Sequence, residues 1–173
     1  MLPSDLPNRK RLRLEDHDYN GPATYFVTIC AARKETIFGD ICGGCFYPTI
    51  IGDAIRSEWE QIPARFSSVL LGAFVVMPNH MHGLLTLQSA STKLGVVIGH
   101  FKSIAVMRVR SELSDREALI WHRGYHDRIV RNPGELSRVR HYIEQNPANW
   151  DHDEHYIRSQ SQPEQNVRAR GGL

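Results

Sequence analysis

His80 and His82, two positions apart, are the residues of this chain whose type and spacing best suit a metal-binding or catalytic site. They lie between two apolar runs, 73–77 and 83–87, a pattern that predicts a strand on either side of a short bend. Side chains at positions i and i+2 of a strand leave the same face about 6.6 Å apart along the chain, so both imidazoles can reach one metal ion. The alternative is a pair of hydrogen-bonded histidines at a strand entrance, and the spacing alone leaves both interpretations open.

A second pair of polar side chains, Tyr142 and Asn146, lies one turn apart on the last predicted helix and flanks its apolar stripe. Taken singly, each suits a structural role: a tyrosine at the edge of the core, and an asparagine at a helix end. Together with the two histidines they offer a different chemistry. Two imidazoles and an amide oxygen are neutral ligands that leave positions for a phosphate oxygen and water, which favours Mg²⁺ or Mn²⁺ over zinc. A phenol, with an unperturbed pKa of about 10, could then attack a phosphodiester whose charge is neutralised.

The apolar pattern also predicts the elements that must position these groups. Strands are expected at 24–30, 68–77 and 81–87, with a further one around Ile129 and Val130. Helices are expected at 51–62, where Trp59 belongs to the core, at 94–113, and from an Asn132 cap to Pro147. This order indicates an α+β fold, an antiparallel sheet with helices packed on one face.

Between the first strand and the first helix, two short apolar runs at 36–42 and 46–50 flank Gly43-Gly44. Consecutive glycines suit a hairpin turn, because both central residues of that turn need positive φ. The same stretch contains a Cys-x-x-Cys spacing, Cys42 and Cys45. With no second cysteine pair for zinc and no helix directly after Cys45 for a redox motif, we interpret it as a hairpin.

Composition and length bound the class of protein. At 173 residues, with 41% hydrophobic and 23% charged residues, the chain suits one globular domain. It contains no apolar run of about 18 residues and no secretory signal pattern. Together with an odd number of cysteines, three, this predicts a cytoplasmic location. We expect a basic arm at 1–22, a catalytic domain at 23–150 and a polar tail at 151–173.

Positive charge is concentrated in two parts of the sequence. One is the run Arg9-Lys-Arg-Leu-Arg13, and the other is 101–140, where nine Lys/Arg face five Asp/Glu. Such a distribution suits a polyanionic partner, chiefly nucleic acid, although an ordinary solvated surface explains the charge equally well.

The segment Met77-Pro-Asn-His-Met-His-Gly-Leu-Leu85 resembles the HUH motif (His, bulky hydrophobic, His) of the single-tyrosine HUH transposases. The similarity is greatest to their REP-associated tyrosine transposase branch. It covers residues 9–155, and the motif Tyr142-Ile-Glu-Gln-Asn-Pro147 carries it downstream. Further matching segments are Asp18-Tyr19, Gly21 to Ile29, Trp121-His-Arg-Gly-Tyr125 and Ile129-Val-Arg-Asn132.

The resemblance implies a ferredoxin-like (RRM-like) fold and an association with the nucleoid. It also implies cleavage of single-stranded DNA beside a hairpin formed by a palindromic repeat, with a 5′-phosphotyrosine and a free 3′-OH as products. On this basis Tyr142 matches the nucleophile, His80 and His82 match the metal-binding pair, and Asn146 matches the third ligand of Mg²⁺ or Mn²⁺. Candidate DNA contacts are Arg9, Lys10, Arg11, Arg13, Lys102, Arg123 and Arg131. The wider family includes dimers, so a homodimer is allowed. Asp127-Arg128 departs from the acid-His pair that is common at that position.

Three other functions were weighed. A catalytically silent DNA-hairpin-binding protein of the same fold would need neither the two histidines nor Tyr142. An amidohydrolase-type zinc enzyme would need a barrel of about 250 residues. A histidine-triad hydrolase would need a third alternating histidine, but position 84 is Leu. A metal-dependent DNA endonuclease and strand-transferase is therefore the leading hypothesis.

Overall fold

The computed structural model describes residues 22–153 and residue 155. Within these ranges it contains six strands: β1 (Ala23–Cys30), β2 (Gly39–Cys42), β3 (Cys45–Pro48), β4 (Val69–Val76), β5 (His80–Leu87) and β6 (His126–Val130). Its α-helices are α1 (Ile50–Glu60), α2 (Ile62–Arg65), α3 (Leu94–Leu113) and α4 (Pro133–Gln145). Short 3₁₀ helices follow β1, at Ala32–Lys34, and α4, at Pro147–His152. The predicted arm lies outside the described residues except for position 22, as does most of the predicted tail.

Four strands form an antiparallel sheet in the order β4-β5-β1-β6, so β1 and β5 occupy its centre. Without the β2–β3 hairpin, the short helix α2 and α4, the succession β1-α1-β4-β5-α3-β6 is that of a ferredoxin-like fold. The prediction of an α+β fold with an antiparallel sheet is confirmed.

The two faces of the sheet have different contents because successive strand residues point to opposite sides. On one face Val27, Ile29 and Met81 join the main core, which α1 and α3 cover with Trp59 and Phe101. The rings of those two aromatics meet edge to face at 5.1 Å. The prediction that helices pack on one face of the sheet is confirmed for α1 and α3. The prediction that Trp59 is a core residue is also confirmed, since Trp59 is fully buried.

The other face carries the two histidines and is partly covered by α4. Val139 and Ile143 of this helix pack on Leu84 in a smaller apolar cluster. The helix starts as predicted: the Asn132 side chain accepts a hydrogen bond from the Glu135 backbone N–H at 2.8 Å. Because α4 lies across β4 and β5 on this face, its polar edge comes close to the start of β5.

The hairpin prediction is also confirmed. Cys42 and Cys45 are register partners at the end of the β2–β3 pair, and Gly43 and Gly44 take φ values of 59° and 75° in its turn. Both cysteines are free and exposed. The first predicted helix ends at Glu60, and a separate short helix, α2, contains Pro63. None of the helices in the described part of the chain is both long and apolar enough to cross a membrane.

Candidate active site

His80 and His82 lie at the start of β5 on the α4 side of the sheet, and their side chains are buried. Their Nε2 atoms are 3.1 Å apart. Burial, together with the neighbouring His82 and His155, lowers the pKa of His80 to about 2. Burial also lowers the pKa of His82 to about 4, although the charge of Asp153 acts in the opposite direction. Both imidazoles are therefore neutral at physiological pH, the form in which histidine binds a metal.

The Asn79 side chain determines which nitrogen of His80 carries the proton. Its amide nitrogen donates to two backbone carbonyls, those of Lys34 at 3.2 Å and His155 at 2.8 Å. The amide oxygen must therefore face His80 Nδ1, 2.9 Å away, and it can only accept. The proton of His80 lies on Nδ1, and Nε2 presents a lone pair to the site.

Thr28, on the neighbouring strand β1, performs the corresponding role for His82. Its hydroxyl lies 2.8 Å from His82 Nδ1, inside the sheet. A hydroxyl can donate or accept, so it can satisfy either tautomer of the ring. An acceptor at this position stabilises the tautomer in which Nε2 is free to bind a cation. Thr28 and Asn79 were not predicted from the sequence, because only the strand register and the folded loop bring them to the histidines.

The structure brings Tyr142 to His82, and Asn146 is connected to the histidines through Asp153. The Tyr142 hydroxyl lies 3.3 Å from His82 Nε2. Asn146 is buried at the end of α4. Among the described residues, its side-chain oxygen has no hydrogen-bond partner, and a buried acceptor without a partner costs about 1–3 kcal/mol.

Asp153 completes the cluster and was missed by the sequence analysis, which assigned it to the polar tail. Its Oδ2 accepts hydrogen bonds from Asn146 Nδ2 at 3.0 Å and from the Tyr142 hydroxyl at 3.4 Å. Its Oδ1 is 4.0 Å from His80 Nε2. The run of five acidic and histidine residues at 151–155 is the sequence signal that could have indicated it.

These groups fit a divalent cation. One ligand atom each from His80, His82 and Asp153 lies within 4.8 Å of the others. Two neutral imidazoles and a carboxylate form a mixed nitrogen and oxygen donor set of the kind that binds divalent cations. The Asn146 side chain is hydrogen-bonded to Asp153, and its buried oxygen, which has no partner among the described residues, also favours a cation here.

A cleft of about 700 Å³ opens beside the cluster, between β6 and the first half of α4. His82 and Tyr142 line this cleft where it meets the cluster. Phe26 also lines it, and its ring stacks on that of His82 with 5.2 Å between the centroids. The remaining lining residues are Thr28, His126, Asp127, Arg128, Glu135, Arg138 and Val139.

The candidate DNA-contacting residues fall into three groups. Arg9, Lys10, Arg11 and Arg13 lie outside the described residues. Arg123 and Arg131 are exposed. The Lys102 ammonium donates to the carbonyls of His122 at 2.8 Å and Gly124 at 3.2 Å, and burial lowers the pKa of this lysine. Lys102 thus supports the loop before β6, and its contact with DNA remains a prediction.

Comparison with known proteins gives the family. The sequence model described as "Transposase IS200 like" matches residues 48–146, more than half of the chain. The chain belongs to the IS200-like transposase family. The matched range contains both histidines, Tyr142 and Asn146, and the family predicted from the sequence is confirmed.

One protein sequence and two solved structures are similar to this chain. A protein of unassigned function from Haemophilus influenzae is 31% identical over 175 residues, covering 88% of this chain and 95% of its own length. A REP-associated tyrosine transposase bound to a REP hairpin shares the fold, with a TM-score of 0.58 and 18% identity, over 80% of this chain and 74% of that one. A protein from Deinococcus radiodurans assigned as a transposase has a TM-score of 0.51 and 15% identity, over 76% and 96% of the two chains.

Proposed function

We propose that this IS200-like family member is a metal-dependent endonuclease and strand-transferase of single-stranded DNA, in the REP-associated branch, with Tyr142 as its nucleophile. The observation that carries the proposal is the position of the Tyr142 hydroxyl, 3.3 Å from His82 Nε2 and 3.4 Å from Asp153 Oδ2. A phenol that meets a candidate metal cluster and a carboxylate, and that also lines a cleft, is well placed to attack a bound phosphodiester.

In the proposed step Tyr142 Oη forms a bond to the scissile phosphorus while the bond from phosphorus to the 3′ oxygen breaks. Asp153 Oδ2 accepts the phenol proton along the existing hydrogen bond, and the departing 3′ oxygen takes a proton from solvent. The products are a 5′-phosphotyrosine and a free 3′-OH, and attack by a 3′-OH reverses the step.

His80, His82 and Asp153, with the Asn146 oxygen, would hold the cation, for which we propose Mg²⁺ or Mn²⁺. When bound, such an ion neutralises charge on the scissile phosphate. The protein contributes the fixed orientation of both imidazoles, through Asn79 and Thr28, and the position of the phenol on α4. Asp153 adds a negative ligand that the sequence analysis did not include.

We propose single-stranded DNA that carries a hairpin as the substrate. The structural neighbour bound to a REP hairpin supports this choice, as does the surplus of positive charge at 101–140. The exposed Arg123 and Arg131, with the basic arm, would contact phosphates and position the strand. Such a substrate implies action on the nucleoid in the cytoplasm, and a homodimer is compatible with it.

The test uses labelled hairpin oligonucleotides with randomised single-stranded flanks, incubated with Mn²⁺ or Mg²⁺. The protein should produce a labelled band that survives denaturation, and Tyr142→Phe should lose this band while it still shifts the hairpin in a native gel. Tyr47→Phe, at an exposed tyrosine of β3, is the matched control and should cleave normally. His80→Ala and chelator should each abolish cleavage. A denaturation-resistant band in Tyr142→Phe, or full cleavage in chelator, would exclude the proposed mechanism.

The alternative is a catalytically silent hairpin-binding protein of the same fold. It predicts the native gel shift without any covalent band in the parent protein, with either metal. The buried, oriented histidine pair argues against it, because a binding surface gains nothing from two buried neutral imidazoles and an unsatisfied amide oxygen.

A further inference from the structure

The cleft beside Tyr142 is lined by an aromatic ring and by charged side chains. The ring is that of Phe26, and the Arg128 guanidinium lies over it, 5.4 Å from its centroid. Arg128 Nε is also 3.8 Å from a Glu135 carboxylate oxygen, so this guanidinium is held from both sides. The Arg128 side chain remains 57% exposed, which leaves part of the guanidinium open to the cleft.

Two cationic or polar side chains of the cleft remain unengaged. Arg138, one turn before Tyr142 on α4, forms no ion pair or hydrogen bond with the described residues, and neither does the His126 side chain of β6. Glu135 adds a carboxylate to the wall, although its Oε2 accepts from the Arg131 backbone N–H. The cleft therefore combines a stacked aromatic and guanidinium pair, an acceptor group and unengaged donors.

This combination discriminates between classes of ligand. A bare phosphate would favour cations without the Glu135 carboxylate, and an acyl chain would favour an apolar lining. A nucleotide uses all of the groups: its base stacks on a guanidinium or aromatic plane, its ring nitrogens and exocyclic groups need donors and acceptors, and its phosphate pairs with an arginine. The volume of about 700 Å³ lies in the range of small-ligand sites.

We propose that this cleft binds the deoxynucleotide adjoining the scissile phosphate. The base stacks on the exposed side of the Arg128 guanidinium, because the Phe26 ring that supports this guanidinium already stacks on His82. Arg138 contacts the phosphate. The inference rests on the proposed function, because Tyr142, which also lines the cleft, would then meet the adjoining phosphodiester. It adds a base-binding site to that function and identifies Phe26, Arg128 and Arg138 as residues that position the strand.

The test uses Tyr142→Phe, which leaves the DNA uncleaved, and hairpin oligonucleotides in which 2-aminopurine replaces one base at a time. Stacking quenches this base, so one position next to the cleavage site should lose fluorescence on binding. Phe26→Leu should restore that fluorescence and weaken binding about tenfold. A thermal melt checks that Phe26→Leu is folded.

Two arginine variants of α4 provide a second measurement, made in protein that retains Tyr142 and Phe26. In the otherwise unchanged protein, Arg138→Gln should raise KM for the hairpin about tenfold with little change in kcat, because a charge-assisted phosphate contact is lost. Arg140→Gln, on the same helix but outside the cleft lining, should change KM less than about twofold.

The outcomes separate the two proposals. Covalent adduct formation with no quenched position, and with equal KM values for the two arginine variants, would overturn the cleft assignment and leave the proposed function intact. A different outcome would support nucleotide binding and contradict the proposed cleavage. In that outcome one position is quenched, the quenching is weaker in both Phe26→Leu and Arg138→Gln, and the parent protein forms no adduct.

Discussion

Replacement of Thr28 by valine is the most selective perturbation of the candidate metal cluster. Valine has nearly the same shape and suits a strand, so the change removes little more than the hydroxyl that lies 2.8 Å from His82 Nδ1. His82 then has no acceptor for an Nδ1 proton and loses the tautomer that presents a bare Nε2 to a cation. Loss of such a supporting contact lowers metal affinity by about 10- to 100-fold, equivalent to about 1.4–2.8 kcal/mol.

The measurement is a Mn²⁺ titration followed by the electron paramagnetic resonance signal of the free ion, without DNA. Thr28→Ser retains the hydroxyl and should bind Mn²⁺ nearly as the parent does. Thr24→Val is the matched control: Thr24 lies on the same strand and face, but its hydroxyl contacts Thr86 at 2.8 Å. Unchanged Mn²⁺ affinity in Thr28→Val, or an equal loss in Thr24→Val, would refute the argument that Thr28 orients His82.

Two further predictions concern stability. In chelator, the free energy of unfolding should fall as the pH drops from about 6.5 towards 4. In this range His82 is protonated in the unfolded chain but stays neutral in the folded protein, where burial lowers its pKa to about 4. The loss from this residue is about 3 kcal/mol, and urea titrations at several pH values should show a flatter dependence for His82→Gln. Gly83→Ala should destabilise the fold by about 1–3 kcal/mol, because the added Cβ would overlap the buried Trp59 ring. Gly99→Ala is the control, because a Cβ there meets nothing within 4 Å. If Gly83→Ala melts at the same temperature as the parent protein, the packing described for Trp59 is contradicted.

Local patterns in the sequence were sufficient to predict most elements of the sheet and its helices. Alternation at 24–30 and 81–87 places Val27 and Met81 in the main core, and the Asn132 cap with Pro147 bounds α4 closely. These signals are local, since capping, turn geometry and side-chain alternation act over a few residues. The same logic placed both histidines on one face of one strand.

Long-range contacts explain what the sequence analysis missed. Asp153 reaches the histidines only because a 3₁₀ helix at Pro147–His152 follows α4 and redirects the chain. Thr28 reaches His82 through the β1–β5 register, and Arg138 joins the cleft through the packing of α4 on the sheet. Neither the direction of a chain after a proline nor a strand register can be read from residue types alone.

The central claim is that Tyr142 becomes covalently joined to DNA, and mass spectrometry of the trapped adduct tests it most directly. Trypsin should release residues 141–158, a peptide that contains Tyr142 and Tyr156. After incubation with a hairpin substrate and Mn²⁺, followed by nuclease digestion, we predict the mass of this peptide plus a 5′-phosphodeoxynucleotide, with fragment ions that locate the addition at Tyr142. An addition at Tyr156 or at any other residue, or cleaved DNA with only unmodified peptide 141–158, would contradict the account.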